Sequence, residues 1–315
     1  MKRYSIAQAA KFCLLLLPAL LLSVSAVAGD TLSLSFTGDI LLDRGVRQFI
    51  RIKGADGLFS KSIDSLFNHS KIVIGNLECP ATKIEAPMFK RYIFRAEPEW
   101  LEVLHRHGFT HLNLANNHSI DQGRDGLIDT QQNIIRAGMI PIGAGENMEE
   151  AAYPIILAVQ PRKVYLVTSL QMALENFDYL TNKPCVSQES FDSLLRRIKV
   201  LRQNEPNSYI IVTLHWGMEH TLKAMPYQRQ EAHQIIDAGA NCIVGHHPHA
   251  MQNVETYKNC KIYYSIGNFI FDQTKPINTN ACVVNIKISE TSAKVTTIPI
   301  KIEKCVPLVC QFIFQ

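Results

Sequence analysis

The stretch NCIVGHHPH, residues 241–249, joins a short apolar run to three histidines within four positions. The run is typical of a buried β-strand, because it is short, contains β-branched residues and is closed by a glycine. Imidazole nitrogens are among the commonest protein ligands of divalent transition metals. The stretch therefore predicts a strand whose end delivers histidines to a metal site, with the other ligands coming from elsewhere in the chain.

The same strand pattern recurs along the chain. Further apolar runs typical of strands lie at residues 32–37, 71–75, 110–115, 163–169, 209–216 and 261–269. Segments with helix-compatible periodicity lie between them, at residues 57–69, 97–107, 124–137, 190–204 and 227–238. This alternation predicts an α/β fold with a mostly parallel sheet. Two consecutive β-rich runs, residues 281–289 and 293–302, predict added antiparallel strands near the C-terminus.

Composition narrows the class of protein. The 315 residues are 47% hydrophobic and 19% charged, which is typical of a globular protein with a sizeable core. The net charge is +4, but the basic residues are scattered and are not interleaved with aromatic residues. A nucleic-acid partner is therefore not expected, whereas a weak preference for anionic partners is.

The first residues predict export. Lys2 and Arg3 precede a long apolar run that ends in the small residues 26–28, an A-x-A pattern. We predict a signal peptide over residues 1–28, cleaved after Ala28, and one domain over residues 29–315 in the periplasm or cell envelope. The alternative is an uncleaved N-terminal membrane anchor. Of the seven cysteines that remain after cleavage, Cys305 and Cys310 are the expected local disulfide pair.

Polar residues follow the ends of five predicted strands. They are Asp39, Glu78, the Asn-Asn-His stretch 116–118, His215 and the histidines of residues 246–249. In open α/β sheets this edge is where sites are built, and Asp, Glu, Asn and His are ligands of divalent ions. Each residue alone has a structural alternative: a helix cap for Asp39, a surface acid for Glu78, a turn for the asparagines and a core histidine for His215.

Seven motifs carry a family resemblance. They are FTGDILLDR, NLECP, LANNHSIDQGRDGLIDT, IPIGAGEN, LHWGMEH, GANCIVGHHPHAMQNVE and YSIGNFIFD. In this order they resemble the motifs of the bacterial capsule synthesis CapA family, associated with poly-γ-glutamate capsules, over about residues 32–272. That family looks like a branch of the calcineurin-like metallophosphoesterases. The resemblance implies a four-layer α/β/β/α sandwich of the metallophosphoesterase type with a two-metal site.

The resemblance also implies roles for individual residues. The metal ligands would be Asp39, Glu78 as the bridging carboxylate, Asn117, His215, His247 and His249. His118 would be the catalytic general acid, and Asp121, three residues further on, is placed to orient its imidazole. Arg44 and Arg95 are candidates for binding a substrate phosphate or carboxylate.

Two positions depart from the family pattern. The usual Asp-x-His reads Asp39-Ile40-Leu41, so one histidine ligand is missing, and glutamate stands where aspartate is usual at the bridge. Weaker binding at one of the two metal positions is expected. Among the clustered histidines, His247 and His249 are expected to point to one side as ligands, with His246 packing or supporting them. Whether His246 or His247 is the partner of His249 stays open.

The implied function is that of an exported protein of capsule or poly-γ-glutamate biosynthesis. It would be a dinuclear metal-dependent hydrolase of a phosphoester or γ-glutamyl polymer bond, using Mn, Fe, Zn or Mg and a metal-bridging hydroxide. The alternative is a non-catalytic envelope scaffold, or a component that binds an anionic polymer beside membrane-bound capsule synthase subunits.

Overall fold

A computed structural model describes residues 31–174 and 182–310. The predicted signal peptide, residues 1–28, and its cleavage site lie outside the described residues. Among the residues that are described, no helix is both long and apolar enough to cross a lipid bilayer.

The strands, numbered in chain order, form two large sheets and one small pair in the described ranges. The first sheet contains β1 (Leu32–Ile40), β2 (Ile72–Leu77), β3 (His111–Asn113), β4 (Ile140–Ile142), β13 (Asn268–Ile270), β14 (Asn280–Ile288), β15 (Ala293–Glu303) and β16 (Val306–Val309). The second contains β6 (Ile155–Ala158), β7 (Val164–Leu170), β9 (Tyr209–His215), β10 (Cys242–His246), β11 (Val254–Tyr257) and β12 (Cys260–Tyr263). The small pair is β5 (Ala144–Gly145) with β8 (Cys185–Val186).

The helices lie mostly in the connections between strands. They are α1 (Arg44–Lys53), α2 (Lys61–Phe67), α3 (Trp100–Arg106), α4 (Gly123–Arg136), α5 (Met148–Ala151), α6 (Phe191–Asn204), α7 (Pro226–Ala238) and α8 (Pro276–Thr279). A 3-10 turn, Ala55–Leu58, precedes α2, so the single helix expected over residues 57–69 is divided into two pieces.

Strand order agrees with the predicted mixture of parallel and antiparallel pairing. The first sheet runs β16-β15-β14-β1-β2-β3-β4, with β13 also paired to β1. Strands β1 to β4 are parallel, whereas β14, β15 and β16 are antiparallel, as expected for the C-terminal runs. The second sheet runs β11-β12-β10-β9-β7-β6, with parallel strands at its centre.

The two sheets pack face to face. Phe36 and Ile74 of the first sheet share one apolar cluster with Ile211 and Val244 of the second, and all four are buried. This middle cluster explains why the central strands have near-continuous apolar runs: each strand is covered on both of its faces.

Helices cover the two outer faces. Val73 of β2 clusters with Leu104 of α3 on the outside of the first sheet. Val212 of β9 clusters with Ile235 of α7 on the outside of the second. The predicted four-layer α/β/β/α sandwich is therefore confirmed, and it brings the ends of strands from both sheets to a common edge.

The segment predicted as one strand over residues 261–269 is two strands in different sheets. The chain ends β12 at Tyr263 in the second sheet and begins β13 at Asn268 beside β1 of the first. The crossing passes so close to the neighbouring strands that a Cβ on Gly245 would lie 2.0 Å from the carbonyl oxygen of Tyr264. Apolar periodicity carries no information about such a change of sheet, because both strands are equally buried.

The expected disulfide between Cys305 and Cys310 is wrong, since both thiols are free. Cys305 lies in the turn before β16, and Cys310 follows the last residue of that strand. Extended backbone advances about 3.3 Å per residue, so the five steps from Cys305 across β16 to Cys310 place the two cysteines roughly 16 Å apart, beyond the reach of a disulfide.

Candidate metal centre

The predicted ligands meet where the carboxyl ends of the two sheets adjoin. Asp39 lies near the end of β1, and Glu78 directly follows β2, both in the first sheet. His215 ends β9, and His247 follows β10, both in the second sheet. All four side chains are buried, with 0–4% exposure. Carboxylates from one sheet therefore face imidazoles from the other.

Two groups of side chains could each hold a metal ion. One is Glu78, His215 and His247, and the other is Asp39, Glu78 and His249. Within each group the ligand atoms lie within 4.8 Å of one another. The Oε1 atom of Glu78 is 3.6 Å from Nε2 of His215 and 3.8 Å from Nε2 of His249. Glu78 thus belongs to both groups, so its carboxylate is shared by the two sets of candidate ligands.

The residues present fit a divalent cation. Both carboxylate oxygens of Glu78 are buried and have no hydrogen-bond partner in the described part of the chain, and the same holds for Nδ1 of His247. Leaving a buried carboxylate without a partner costs several kcal/mol. A cation at this place would satisfy these atoms. The mixed oxygen and nitrogen donors suit divalent transition ions and Mg²⁺.

Burial and neighbouring charges shift the pKa values of Asp39, Glu78 and His249 in opposite directions. Burial acts to raise the pKa of Asp39, but hydrogen bonds and charge from His246 and His249 outweigh it and hold that pKa well below its usual range. Burial raises the pKa of Glu78 well above its usual range, against the lowering effect of His249. Burial acts to lower the pKa of His249, yet the carboxylates of Glu78 and Asp39 raise it to about 9. Asp39 and His249 therefore form the charged pair.

In the ligand group of Glu78, His215 and His247, both imidazoles are uncharged. Burial lowers the pKa of His215 well below its usual range, and the charge of His247 lowers it further. Burial lowers the pKa of His247 to about 4, with a contribution from His249. Neutral imidazole is the form that binds a metal, so these two nitrogens are ready to coordinate near neutral pH.

After β10 the backbone is left-handed at two of the clustered histidines, His247 and His249. His247 has φ 95° and His249 has φ 54°, conformations that cost on the order of 1–3 kcal/mol each in a residue other than glycine. The two side chains therefore reach different candidate groups, and strand alternation is not what orients them. His246, the last residue of β10, places Nδ1 3.3 Å from Oδ1 of Asp39, so it contacts the cluster directly.

Two asparagines orient the ligands and were not among the predicted site residues. Asn76 donates from Nδ2 to Oδ1 of Asp39 at 2.8 Å and lies 3.3 Å from Nδ1 of His215. The Oδ1 atom of Asn268 lies 2.9 Å from Nδ1 of His249. Such outer hydrogen bonds fix ring orientation and tautomer in metal sites. Their positions in the sequence could have indicated this role, because Asn76 stands two residues before Glu78 and Asn268 lies within the SIGNF motif.

The loop after β3 brings three further predicted residues to the site. The Oδ1 atom of Asn117 lies 2.9 Å from Nε2 of His215. His118 directs Nδ1 at Oδ2 of Asp121 at 2.7 Å, so its Nε2 is the ring nitrogen left for chemistry. Asp121 is fully buried and also accepts from Lys90 Nζ at 2.5 Å. Lys90 donates to the Asn117 carbonyl oxygen as well, at 2.6 Å, which ties the loop together.

His118 is placed beside the cluster but outside the two ligand groups. Its ring centroid lies 4.4 Å from that of Phe94, and its charge contributes to lowering the pKa of His247. Burial lowers the pKa of His118 itself, although Asp121 opposes this. An imidazole that is oriented in this way and lies outside the ligand groups can transfer a proton.

The two predicted substrate arginines differ in position. The guanidinium of Arg44 lies over the rings of Phe94 and Phe271, at 5.0 and 5.4 Å, and pairs with Asp272. Arg44 therefore lies at the rim of the candidate metal centre, and the ring of Phe94 lies between it and His118. Arg95 instead donates to the Thr82 carbonyl oxygen at 3.1 Å and to Glu85 at 2.9 Å, so its guanidinium is engaged away from the cluster.

Comparison with known proteins gives matches over most of the chain. The PGA biosynthesis protein CapA of Bacillus subtilis (strain 168) is 32% identical over 292 residues, covering 90% of this chain and 75% of that protein. The capsule biosynthesis protein CapA of Bacillus anthracis is 29% identical, covering 88% and 69%. Among solved structures, the NAD nucleotidase NadN of Haemophilus influenzae is 12% identical with a TM-score of 0.47, covering 87% of this chain and 56% of that chain.

A family model described as bacterial capsule synthesis protein PGA_cap matches residues 33–273, a range that includes every predicted metal ligand. With this match and the similarity to the CapA proteins, the chain belongs to the bacterial capsule synthesis protein family PGA_cap.

Proposed function

We propose that this chain is an exported protein of capsule or poly-γ-glutamate biosynthesis that acts as a dinuclear metal-dependent hydrolase. Its family and the names of its relatives support the biological process. The sharing of Glu78 by two ligand groups is the observation that carries the chemistry. The bond cleaved is a phosphoester or a γ-glutamyl amide, and the ions are two of Mn, Fe, Zn or Mg. Residues 1–28 direct export.

Bound divalent ions would supply Lewis-acid activation of both water and the electrophile. The protein side chains then have separate tasks. The ligands of the ions would be Asp39, Glu78, Asn117 and the histidines at 215, 247 and 249. His118 donates a proton from Nε2 to the leaving group, because Asp121 occupies its Nδ1. Arg44, at the rim, orients an anionic group of the substrate.

The alternative of a non-catalytic scaffold explains less of the structure. A scaffold needs neither a buried carboxylate without a partner nor an imidazole oriented by a buried aspartate. Both features cost stability or specificity unless the site binds a cation and moves a proton.

The test is an activity screen of the purified protein reconstituted separately with Mn²⁺, Fe²⁺, Zn²⁺ and Mg²⁺. Phosphomonoesters, phosphodiesters and γ-glutamyl peptides are compared, each with and without EDTA. We expect hydrolysis of one substrate class that EDTA abolishes and added metal restores. Absence of hydrolysis with every metal, together with polymer binding that EDTA does not affect, would support the scaffold instead.

A further inference from the structure

A lysine from a separate loop contacts the residues around His118. Lys90 lies in the connection between β2 and α3, residues 78–99, whereas His118 and Asp121 lie in the connection between β3 and α4. The Lys90 ammonium donates to Oδ1 of Asp121 at 2.5 Å and to the carbonyl oxygen of Asn117 at 2.6 Å. One side chain therefore joins the two loops at the place where the orientation of His118 is determined.

The two carboxylate oxygens of Asp121 have different partners. Oδ1 accepts from Lys90, whereas Oδ2 accepts from the Phe94 backbone N–H at 2.9 Å and lies 2.7 Å from Nδ1 of His118. An ionised carboxylate only accepts hydrogen bonds, whereas a protonated one can also donate. The imidazole therefore keeps a proton on Nδ1 as long as Asp121 is ionised and stays in place.

Burial makes the charge of Lys90 important for Asp121. The side chain of Asp121 is 0% exposed, and that of Lys90 is 24% exposed. A buried carboxylate that loses its cationic partner is strongly destabilised, because water does not replace the partner. Such a carboxylate takes up a proton or turns toward solvent. Either change would release Nδ1 of His118 from its acceptor.

Other contacts hold the same loop beside His118. The ring centroid of Phe94 lies 4.4 Å from that of His118. The Met88 backbone N–H donates to the carbonyl oxygen of Asp121 at 2.9 Å, and the Lys90 N–H donates to the Met88 carbonyl oxygen at 2.9 Å. Substitution of the Lys90 side chain leaves these contacts in place, so its effect reports on the ammonium itself.

We propose that Lys90 is a positioning residue for proton transfer and that it acts on His118 through Asp121. This inference rests on the proposed function and deepens it, because it adds a third member, from a separate loop, to the pair of His118 and Asp121. Lys90 keeps the carboxylate ionised and fixed, and the carboxylate accepts from Nδ1 of the imidazole. The ring keeps its Nδ1 proton before and after the transfer, so the proton that moves to the leaving group is the one on Nε2.

Proton NMR of the Zn²⁺-loaded protein tests this role without any substrate. Zn²⁺ has a closed d shell and leaves the spectrum free of paramagnetic broadening. An Nδ1 proton bound to a buried carboxylate is expected as a downfield signal, which is assigned by its absence in His118→Gln. Lys90→Met keeps the length of the side chain but not its charge, and we expect it to abolish the signal. The matched control is Lys83→Met, which changes an exposed lysine of the same loop that pairs with Glu97 and Glu99, and it should keep the signal.

Kinetics on the substrate found in the screen measure the consequence for proton transfer. Lys90→Met is expected to lower kcat roughly 10- to 100-fold, as loss of an outer hydrogen-bonding partner does in metal sites, with KM changed less than about twofold. Lys90→Arg keeps the charge and can donate to both oxygens, so it should restore most of the kcat. In the Asp121→Asn background, Lys90→Met should cause no further loss, because Lys90 acts through the carboxylate. If Lys90→Met does not fold, Lys90→Gln keeps one donor without the charge, and the same losses are expected.

Three results would overturn the role of Lys90: an unchanged imidazole signal in Lys90→Met, an equal loss of signal in Lys83→Met, or a raised KM at unchanged kcat. The last result would make Lys90 a residue that binds substrate directly. Loss of the signal in Lys90→Met, in a protein that hydrolyses no substrate, would reject the hydrolase and keep the positioning role. Hydrolysis with full kcat in Lys90→Met would reject the positioning role and keep the hydrolase.

Discussion

Glu78→Gln is expected to reduce the bound metal from two ions per chain to fewer than one and to lower hydrolysis at least about 100-fold. Loss of an outer hydrogen bond in a metal site already costs on the order of 10- to 100-fold, and a bridging carboxylate contacts both ions. Glutamine keeps the volume of glutamate but supplies neither the charge nor two equivalent oxygens. Metal analysis of the dialysed protein and steady-state kinetics measure the two effects.

Thermal unfolding with and without EDTA adds an independent readout for Glu78→Gln. In EDTA the variant and the native protein are expected to unfold at similar temperatures, because burial raises the pKa of Glu78 and glutamine then replaces an uncharged carboxyl group of nearly the same size. With metal present, only the native protein gains the stability that ligand binding confers. Glu189→Gln, at a buried carboxylate held by Arg197, is the matched control and should keep both ions. Retention of two ions in Glu78→Gln would contradict the bridging role.

His118→Gln is expected to lower kcat roughly 100- to 10,000-fold while leaving the metal content unchanged. The side chain lies beside the two ligand groups without belonging to either, and Asp121 holds its Nδ1. Glutamine can still bond to Asp121 but cannot transfer a proton. Kinetics on the substrate found in the screen, combined with metal analysis of the same preparation, separate proton transfer from metal binding.

His111→Gln provides the control for a buried histidine. His111 is 7% exposed, lies in β3 and places Nδ1 2.8 Å from the Thr110 hydroxyl oxygen, outside both ligand groups. It should keep the native kcat. Full activity in His118→Gln, or parallel loss of metal and activity, would show that His118 is not the proton donor.

The strands at the site were predictable because burial on both faces produces continuous apolar runs. Residues 209–215 and 242–246 have this character, and polar residues stand at their ends. That position, together with ligand chemistry, was enough to select Asp39, Glu78 and His215. The layer order came from the family resemblance, since a run buried on both faces does not reveal which sheet it joins.

The remaining features depend on contacts that local sequence does not encode. The chain changes sheets between Tyr263 and Asn268, and this brings Asn268 beside His249. The left-handed backbone at residues 247 and 249 sends neighbouring histidines to different ligand groups. Arg95 has a long side chain whose direction is decided by Glu85 and Thr82, and position near a site strand could not indicate it.

Anomalous diffraction from crystals of the Mn²⁺-loaded protein tests the central claim most directly. We expect two peaks, each within about 2.0–2.2 Å of a Glu78 oxygen, the usual length of such bonds. One peak should also contact His215 and His247, and the other Asp39 and His249. The absence of any peak at Glu78, or a single peak held by other residues, would contradict it.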